Sequence, residues 1–121
     1  MSRGNSIFKA GVAIAPVTDW RFYDSVYTER FMRTPKENEN GYNVSSPLNI
    51  AYNLQGKLLL VHGTADDNVH FQNTLLYIKA LEDAGKQFDT QIYPDKNHSI
   101  LGTSTRFHLY SRIIDFLNKN L

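Results

Sequence analysis

Short continuous apolar runs alternate with polar stretches along this chain, and three of the runs predict strands. Residues 8–17 form a run of small and β-branched side chains closed by Pro16, and residues 57–61 carry a Leu-Leu-Leu-Val core. Continuous runs of this kind are typical of parallel strands buried on both faces. Residues 88–93 alternate between apolar and polar side chains and stop at Pro94, which predicts a third strand.

Two further segments carry apolar residues at helical spacing, in residues 70–84 and 104–118. Each repeat predicts a helix that packs one face against the sheet. The repeats consist of Phe71, Leu75, Ile78 and Leu81 in the first segment, and of Phe107, Tyr110, Ile114 and Leu117 in the second. Gly85 follows the first helix, where a left-handed C-terminal cap is favoured.

The region between the first two strands is more mixed. Residues 20–33 have the spacing of a short helix, and residues 34–46 are polar enough to predict a solvated loop. Ser46 and Pro47 resemble an N-cap and a first helical residue, which predicts a short helix through about Leu54.

The predicted order is strand, helices, strand, helix, strand, helix. Such alternation indicates an α/β fold with about three parallel strands flanked by helices and joined by right-handed crossovers. Ligand sites of parallel sheets lie at the carboxyl ends of the strands. Asp66, Asn68 and His98 follow the second and third strands, so they are expected at that edge.

Composition narrows the function classes. The 121 residues suffice for one core, and the net charge of +1 comes from interspersed charges without a basic stripe, so nucleic acid is not an expected partner. Zero cysteines exclude a disulfide framework, a thiolate metal site and a cysteine nucleophile. The four histidines lack a close metal-binding pair, so no metal and no cofactor are expected.

Asp66 and His98 have the types and order of the last two members of a hydrolase triad, in which serine precedes aspartate and aspartate precedes histidine. Order alone supports equally well a helix-capping Asp66 and an ordinary loop histidine. The nucleophile is missing, because no Gly-x-Ser-x-Gly occurs: Ser6 and Ser104 each follow a glycine at the right offset, but neither has a glycine two residues later.

Two longer motifs are specific. Residues 23–32 read YDSVYTERFM and residues 62–72 read HGTADDNVHFQ. Through them the chain resembles the dipeptidyl peptidase IV family of prolyl-oligopeptidase-like serine peptidases, from about Phe8 to the C-terminus. The interval of 32 residues from Asp66 to His98 is similar to the family's triad spacing. The resemblance implies the C-terminal part of an α/β-hydrolase domain, here without the nucleophile serine or a β-propeller.

The resemblance also implies residue roles. Asp66 matches the triad acid, His98 the general base, and Asn68 an amide donor to the P2 carbonyl, which belongs to the substrate residue before proline. Five residues match the walls of a small pocket that accepts proline: Val17, Trp20, Tyr23, Tyr27 and Val69. Without the resemblance, core packing of the three aromatic side chains is the favoured interpretation. Ser99 stands where the family often has glycine, and Lys96 and Asn97 stand where acidic residues are common.

Two functions follow as hypotheses. The first is the C-terminal fragment of a serine exopeptidase that releases Xaa-Pro dipeptides from peptides with proline second from the N-terminus, inactive by itself. The resemblance implies a homodimeric parent in a bacterial periplasm or at a cell surface. The alternative is a standalone non-catalytic peptide-binding or assembly module on the same scaffold. In either case an unpaired edge of the first strand predicts self-association of the chain.

Overall fold

The protein is described by a computed structural model that covers residues 1–3 and 7–121. Three strands form one parallel sheet whose spatial order follows the chain: β1 (Ala10–Ile14), β2 (Lys57–Gly63) and β3 (Asp89–Tyr93). The central strand β2 pairs with both neighbours, and its last residue, Gly63, is aligned with Tyr93. The three parallel strands were therefore predicted correctly.

Helices fill the connections between the strands. Two of them are 3-10 helices, Trp20–Phe22 and Pro47–Asn53. The α-helices are α1 (Ser25–Met32), α2 (Glu39–Ser45), α3 (Gln72–Asp83) and α4 (Thr103–Asn120). Gly85 has a φ of +66°, the left-handed conformation expected just after α3.

The core lies on both faces of β2. Leu58 and Leu60 pack toward α3 and the second 3-10 helix, where Ala51, Leu54, Tyr77 and Leu81 are also buried. Leu59 and Val61 pack on the other face with Tyr93, Ile100, Leu109 and Phe116. Alternate side chains of a strand point to opposite faces, so two covered faces require the continuous apolar run.

The prediction that residues 34–46 form a solvated loop is wrong, because α2 occupies most of this segment. Asn38 caps the helix by accepting a hydrogen bond from the backbone N–H of Gly41 at 3.1 Å. Tyr42 is almost fully buried, and its hydroxyl donates to the carbonyl of Arg33 at 2.7 Å. A single buried aromatic residue anchors this helix, which leaves no apolar repeat in the sequence.

The single helix predicted over residues 20–33 is two helices. Asp19 and Asp24 accept hydrogen bonds from the backbone N–H groups of Arg21 and Val26, so each aspartate begins its own helix. The second 3-10 helix starts at Pro47 as predicted. Ser46 does not cap it, since the Ser46 hydroxyl donates to the carbonyl of Thr18 at 3.0 Å.

The apolar faces predicted for the two long helices are partly wrong. In α4 Phe107, Tyr110 and Ile114 are each more than half exposed, while Leu109 and Phe116 are buried. In α3 Leu75 is half-exposed, whereas the polar residues Asn73 and Thr74 are buried. Both helices carry apolar residues on more than one face, so spacing alone does not select the buried one. Within the described residues, no helix has the length and apolarity to cross a membrane.

Candidate active site

The loops that follow β2 and β3 meet at the carboxyl edge of the sheet and are joined by backbone hydrogen bonds. The N–H of Thr64 donates to the carbonyl of Tyr93 at 3.0 Å, and the N–H of Ala65 donates to that of Lys96 at 3.1 Å. In return, the N–H of Asp95 donates to the Thr64 hydroxyl at 2.9 Å. These bonds fix the two loops against each other.

Gly63 permits this close approach. A Cβ atom added at Gly63 would lie 2.1 Å from the carbonyl oxygen of Lys96 and 2.9 Å from that of Asn97. Both contacts are with backbone atoms, which cannot move aside as a flexible side chain can. A glycine at the end of β2 is therefore a requirement for bringing the second loop over the first.

Asp66 and His98 are brought into direct contact by these loops. Nδ1 of His98 lies 2.8 Å from Oδ2 of Asp66. Oδ1 of Asp66 accepts hydrogen bonds from the backbone N–H groups of Asn68 at 3.0 Å and Val69 at 2.9 Å. The Asp66 side chain is buried, whereas 40% of the His98 side chain is exposed. The carboxylate is thus held inside and the imidazole reaches the surface.

Burial and hydrogen bonding oppose each other at the Asp66 carboxyl. Burial raises its pKa, because it disfavours the charged form. The hydrogen bond from His98 and the backbone N–H groups of Val69 and Asn68 favour the charged form and outweigh burial, so the pKa lies below its ordinary value. Asp66 is therefore a carboxylate at neutral pH, which is the form that can orient an imidazole.

The loop that carries His98 contains backbone strain. Ile100 has a φ of +47°, a left-handed conformation that a β-branched residue rarely adopts. Its side chain is buried among Leu109 and Phe116, and this packing holds the strained backbone in place. Just before it, the side-chain oxygen of Asn97 accepts from the N–H of Ser99 at 3.2 Å. The turn around His98 is therefore fixed from both sides.

Aromatic side chains form a group beside the Asp66–His98 pair. The ring centroids of Trp20, Tyr23 and Tyr27 lie 5.5 to 6.2 Å apart, and Phe31 extends the group from Tyr27 at 5.3 Å. A hollow of about 170 Å³ opens among Trp20, Tyr27, Thr28, Phe31 and Met32. The geometry gives an apolar, aromatic surface that is partly open to solvent.

One hydrogen bond connects the aromatic group to the loop after β2. The Tyr23 hydroxyl donates to the side-chain oxygen of Asn68 at 2.9 Å. Asn68 itself is exposed, and its neighbour Val69 is buried. Val17 lies partly buried between β1 and the first 3-10 helix. The structure thus brings Tyr23 and Asn68 together directly, as it does Asp66 and His98.

Sequence reasoning missed a buried polar network that attaches the aromatic segment to α3. The Thr18 backbone N–H donates to the side-chain oxygen of Asn73 at 3.0 Å, and the Thr18 hydroxyl donates to the Asn73 carbonyl at 2.6 Å. Ser46 completes the network through its bond to the Thr18 carbonyl. All three residues are buried. Polar residues in a helix are expected at its exposed face, so the sequence carries no signal for this role.

A family model described as the prolyl oligopeptidase family matches residues 1–121. The chain belongs to the prolyl oligopeptidase family. Among relatives in this family, it is 46% identical over 118 residues to dipeptidyl aminopeptidase B of Saccharomyces cerevisiae, and 44% identical over 122 residues to dipeptidyl peptidase 4 of Bos taurus. These alignments cover 96% and 98% of the chain.

Solved structures in the family match the fold closely. The crystal structure of Porphyromonas gingivalis dipeptidyl peptidase 4 superposes with a TM-score of 0.97 at 65% identity over 99% of the chain. That of a dipeptidyl aminopeptidase IV described as putative, from Bacteroides ovatus, gives 0.96 at 41% identity over 100% of it. The predicted α/β-hydrolase class is confirmed. The chain spans only 14 to 17% of the length of these four relatives.

The described residues do not meet the requirements of a metal site built from side chains. In residues 1–3 and 7–121, no three histidine, aspartate or glutamate side chains are grouped so that they could bind one. The side chains placed at this edge of the sheet include a carboxylate, an imidazole and an amide, with aromatic rings nearby.

Proposed function

We propose that this chain is the C-terminal part of the catalytic domain of a serine exopeptidase that releases Xaa-Pro dipeptides from the N-termini of peptides. The observation that carries the proposal is the 2.8 Å contact between His98 Nδ1 and the buried Asp66 carboxylate, at the carboxyl ends of adjacent parallel strands. A carboxylate on Nδ1 leaves Nε2 as the imidazole nitrogen that accepts a proton, which is the arrangement of a triad base.

The reaction needs a serine from sequence outside these 121 residues. Nε2 of His98 takes the proton as the serine oxygen attacks the carbonyl carbon of proline, and Asp66 stabilises the imidazolium that forms. The tetrahedral intermediate collapses, the peptide amine leaves with the proton from His98, and an acyl-enzyme remains. A water molecule then gives a proton to His98 and attacks the ester. The serine oxygen leaves with that proton from His98, and the Xaa-Pro dipeptide is released.

The aromatic group supports the proposed preference for proline. A pyrrolidine ring has apolar faces and no N–H, so aromatic walls can select it by shape and burial. We assign Val17, Trp20, Tyr23, Tyr27 and Val69 to a proline-binding pocket, and of these Trp20 and Tyr27 also line the hollow of about 170 Å³. The Tyr23 hydroxyl holds the oxygen of Asn68, so the Asn68 NH₂ group is oriented to donate to the preceding carbonyl of the substrate.

The short span of the chain relative to its relatives supports one further part of the proposal, and the exposed side chains of α4 support another. Because the sequence contains no Gly-x-Ser-x-Gly, the 121-residue chain alone is expected to be inactive. We also propose a homodimeric parent, for which the exposed apolar side chains of α4 provide surface. Sedimentation of the complete protein tests the second part.

The activity is tested with the complete protein that carries this sequence, using a Gly-Pro chromogenic anilide and a Gly-Leu anilide of the same leaving group. We expect turnover of the proline substrate, a much smaller kcat/KM for the leucine one, and none with the 121-residue chain. The Asp66→Asn exchange should lower kcat on the order of 10⁴-fold, because the amide favours the wrong imidazole tautomer. Unchanged turnover by Asp66→Asn, or equal use of both substrates, contradicts the proposal.

A non-catalytic peptide-binding or assembly module on the same scaffold is the second candidate, and it differs from the first in leaving the bound peptide uncleaved. It predicts that the complete protein binds Gly-Pro peptides without turning them over. Calorimetry with a Gly-Pro tripeptide, followed by analysis of that peptide for cleavage, separates the two candidates.

A further inference from the structure

A second imidazole lies against the Asp66 carboxylate from inside the fold. His62 belongs to β2, and its side chain is 0% exposed. Its Nδ1 is 2.7 Å from the hydroxyl of Thr74, and its Nε2 is 2.8 Å from the carbonyl of Val69 and 3.2 Å from Oδ2 of Asp66. The ring of Phe71 packs against it in an edge-on arrangement at 5.5 Å.

These neighbours determine which nitrogen of His62 carries a proton. A backbone carbonyl can only accept a hydrogen bond, so Nε2 must be the donor to Val69. The Thr74 hydroxyl faces Nδ1 and can either donate to it or accept from it. The same Nε2 nitrogen lies 3.2 Å from Asp66 Oδ2, a close polar contact beside its hydrogen bond to the Val69 carbonyl.

We infer that His62 is a positioning residue that orients the Asp66 carboxylate toward His98. The inference rests on the proposed function. Both carboxylate oxygens need anchors, because rotation about the last bond of an aspartate is soft. Backbone N–H groups anchor Oδ1, whereas the contacts of Oδ2 within residues 1–3 and 7–121 are with His62 and the partly exposed His98. His62 is thus the anchor of Oδ2 that solvent cannot reach.

His62 also holds the turn that presents the proposed substrate-binding residues. Its bond to the Val69 carbonyl fixes the end of the segment that begins at Asp66 and includes Asn68. Asp66 accepts hydrogen bonds from the backbone N–H groups of Asn68 and Val69. The Asp66 carboxylate and the turn therefore form one hydrogen-bonded unit around the His62 imidazole. Replacement of His62 therefore disturbs the Asp66 carboxylate and, with it, the turn from Asp66 to Val69.

The kinetic test uses the complete protein and a Gly-Pro anilide. His62→Leu removes the donor, and we expect kcat to fall by about 10 to 100-fold with KM changed less than about 3-fold, because a displaced acid affects the chemical step more than substrate binding. His62→Gln keeps an N–H at the position of Nε2 and should restore most of kcat. Equal kcat for His62→Leu and wild type, or no recovery in His62→Gln, overturns the inference.

Leu60→Ala is the matched control, because Leu60 lies on the same face of the same strand and is equally buried but does not touch Asp66. It should lower the melting temperature while kcat per folded molecule stays near wild type. If His62→Leu and Leu60→Ala both lower melting temperature and leave kcat equally unchanged, His62 is a packing residue and the inference fails.

A spectroscopic test needs neither turnover nor a folded variant. Long-range ¹H–¹⁵N correlation spectra of the wild-type chain should show a His62 ring with its proton on Nε2 and a low-field Nδ1–H for His98. A His62 ring with its only proton on Nδ1 overturns the inference, whether or not the complete protein is a peptidase. Conversely, an inactive complete protein with the expected His62 ring refutes the proposed function and keeps His62 as the anchor of Asp66.

Discussion

At the scale of the residue, Asp66 makes the stability of the fold depend on pH. Its folded-state pKa lies below its ordinary value of 3.8, so the carboxylate stabilises the folded state above that pH, and this stabilisation is lost as pH falls through the lower folded-state pKa. We therefore expect Asp66→Asn to lower the free energy of unfolding at pH 7 by about 1 to 3 kcal/mol, and by less at pH 3. Urea denaturation at the two pH values measures the difference.

Asp83→Asn is the control for this pH dependence. Asp83 pairs with Lys79 at 2.8 Å on the surface of α3, where both side chains are about two-thirds exposed. Exposed pairs contribute little to stability. Its exchange should leave the free energy of unfolding nearly unchanged at both pH values. A loss in Asp66→Asn that is the same at pH 3 and pH 7 contradicts the role of the charged carboxylate.

Gly63 gives a second prediction at the residue scale. Gly63→Ala places a methyl group 2.1 Å from the carbonyl oxygen of Lys96, so the two loops must separate. We expect the free energy of unfolding to fall by about 1 to 3 kcal/mol, and the kcat of the complete protein to fall as well. The control is Gly85→Ala, which introduces a Cβ at a φ of +66° without a neighbour within 4 Å in the described residues. It should cost about 1 kcal/mol and leave kcat unchanged. Similar kcat values for both variants count against the clash.

At the scale of the element, Asn73 connects α3 to the segment that carries the aromatic group. Asn73→Ala leaves the buried N–H of Thr18 without its acceptor, which should lower the free energy of unfolding by about 1 to 3 kcal/mol. In the complete protein we also expect KM for a Gly-Pro anilide to rise, since Trp20 follows Thr18 by two residues. Gln72→Ala, at an exposed neighbouring position, is the matched control. Equal unfolding free energies for the two variants contradict the role of Asn73.

The same helix shows how far elements could be predicted. The strands β2 and β3 and the helices α3 and α4 lie within two residues of their predicted bounds, because each has a strong apolar pattern or a stop signal such as Pro94 or Gly85. The helix α2 was missed because Tyr42 alone anchors it. The buried face of α3 was missed in part because Asn73 and Thr74 are buried through hydrogen bonds with Thr18 and His62, which are distant in sequence.

At the scale of the whole molecule, self-association remains a prediction. In the described residues β1 pairs on one side only. Ile7 and Phe8, just before it, are 78% and 55% exposed, and Ile14 at its end is 44% exposed. An unpaired edge beside apolar side chains favours pairing with another chain. We expect sedimentation velocity of the 121-residue chain to show a concentration-dependent increase in mass, reduced in Phe8→Lys. A single monomeric species across all concentrations rules this out.

The sequence by itself determined the α/β class, the order of the strands and the family, because apolar periodicity and the motifs around Tyr23 and Asp66 are local properties of the chain. It also determined that Asp66 and His98 follow strands that are consecutive along the chain. Only the tertiary structure decided which partners each polar group has. Asp66 is held by His62 as well as by His98, and Thr18 is held by Asn73, because hydrogen bonds between residues far apart in sequence depend on register and loop geometry. Such contacts leave no spacing that a sequence can show.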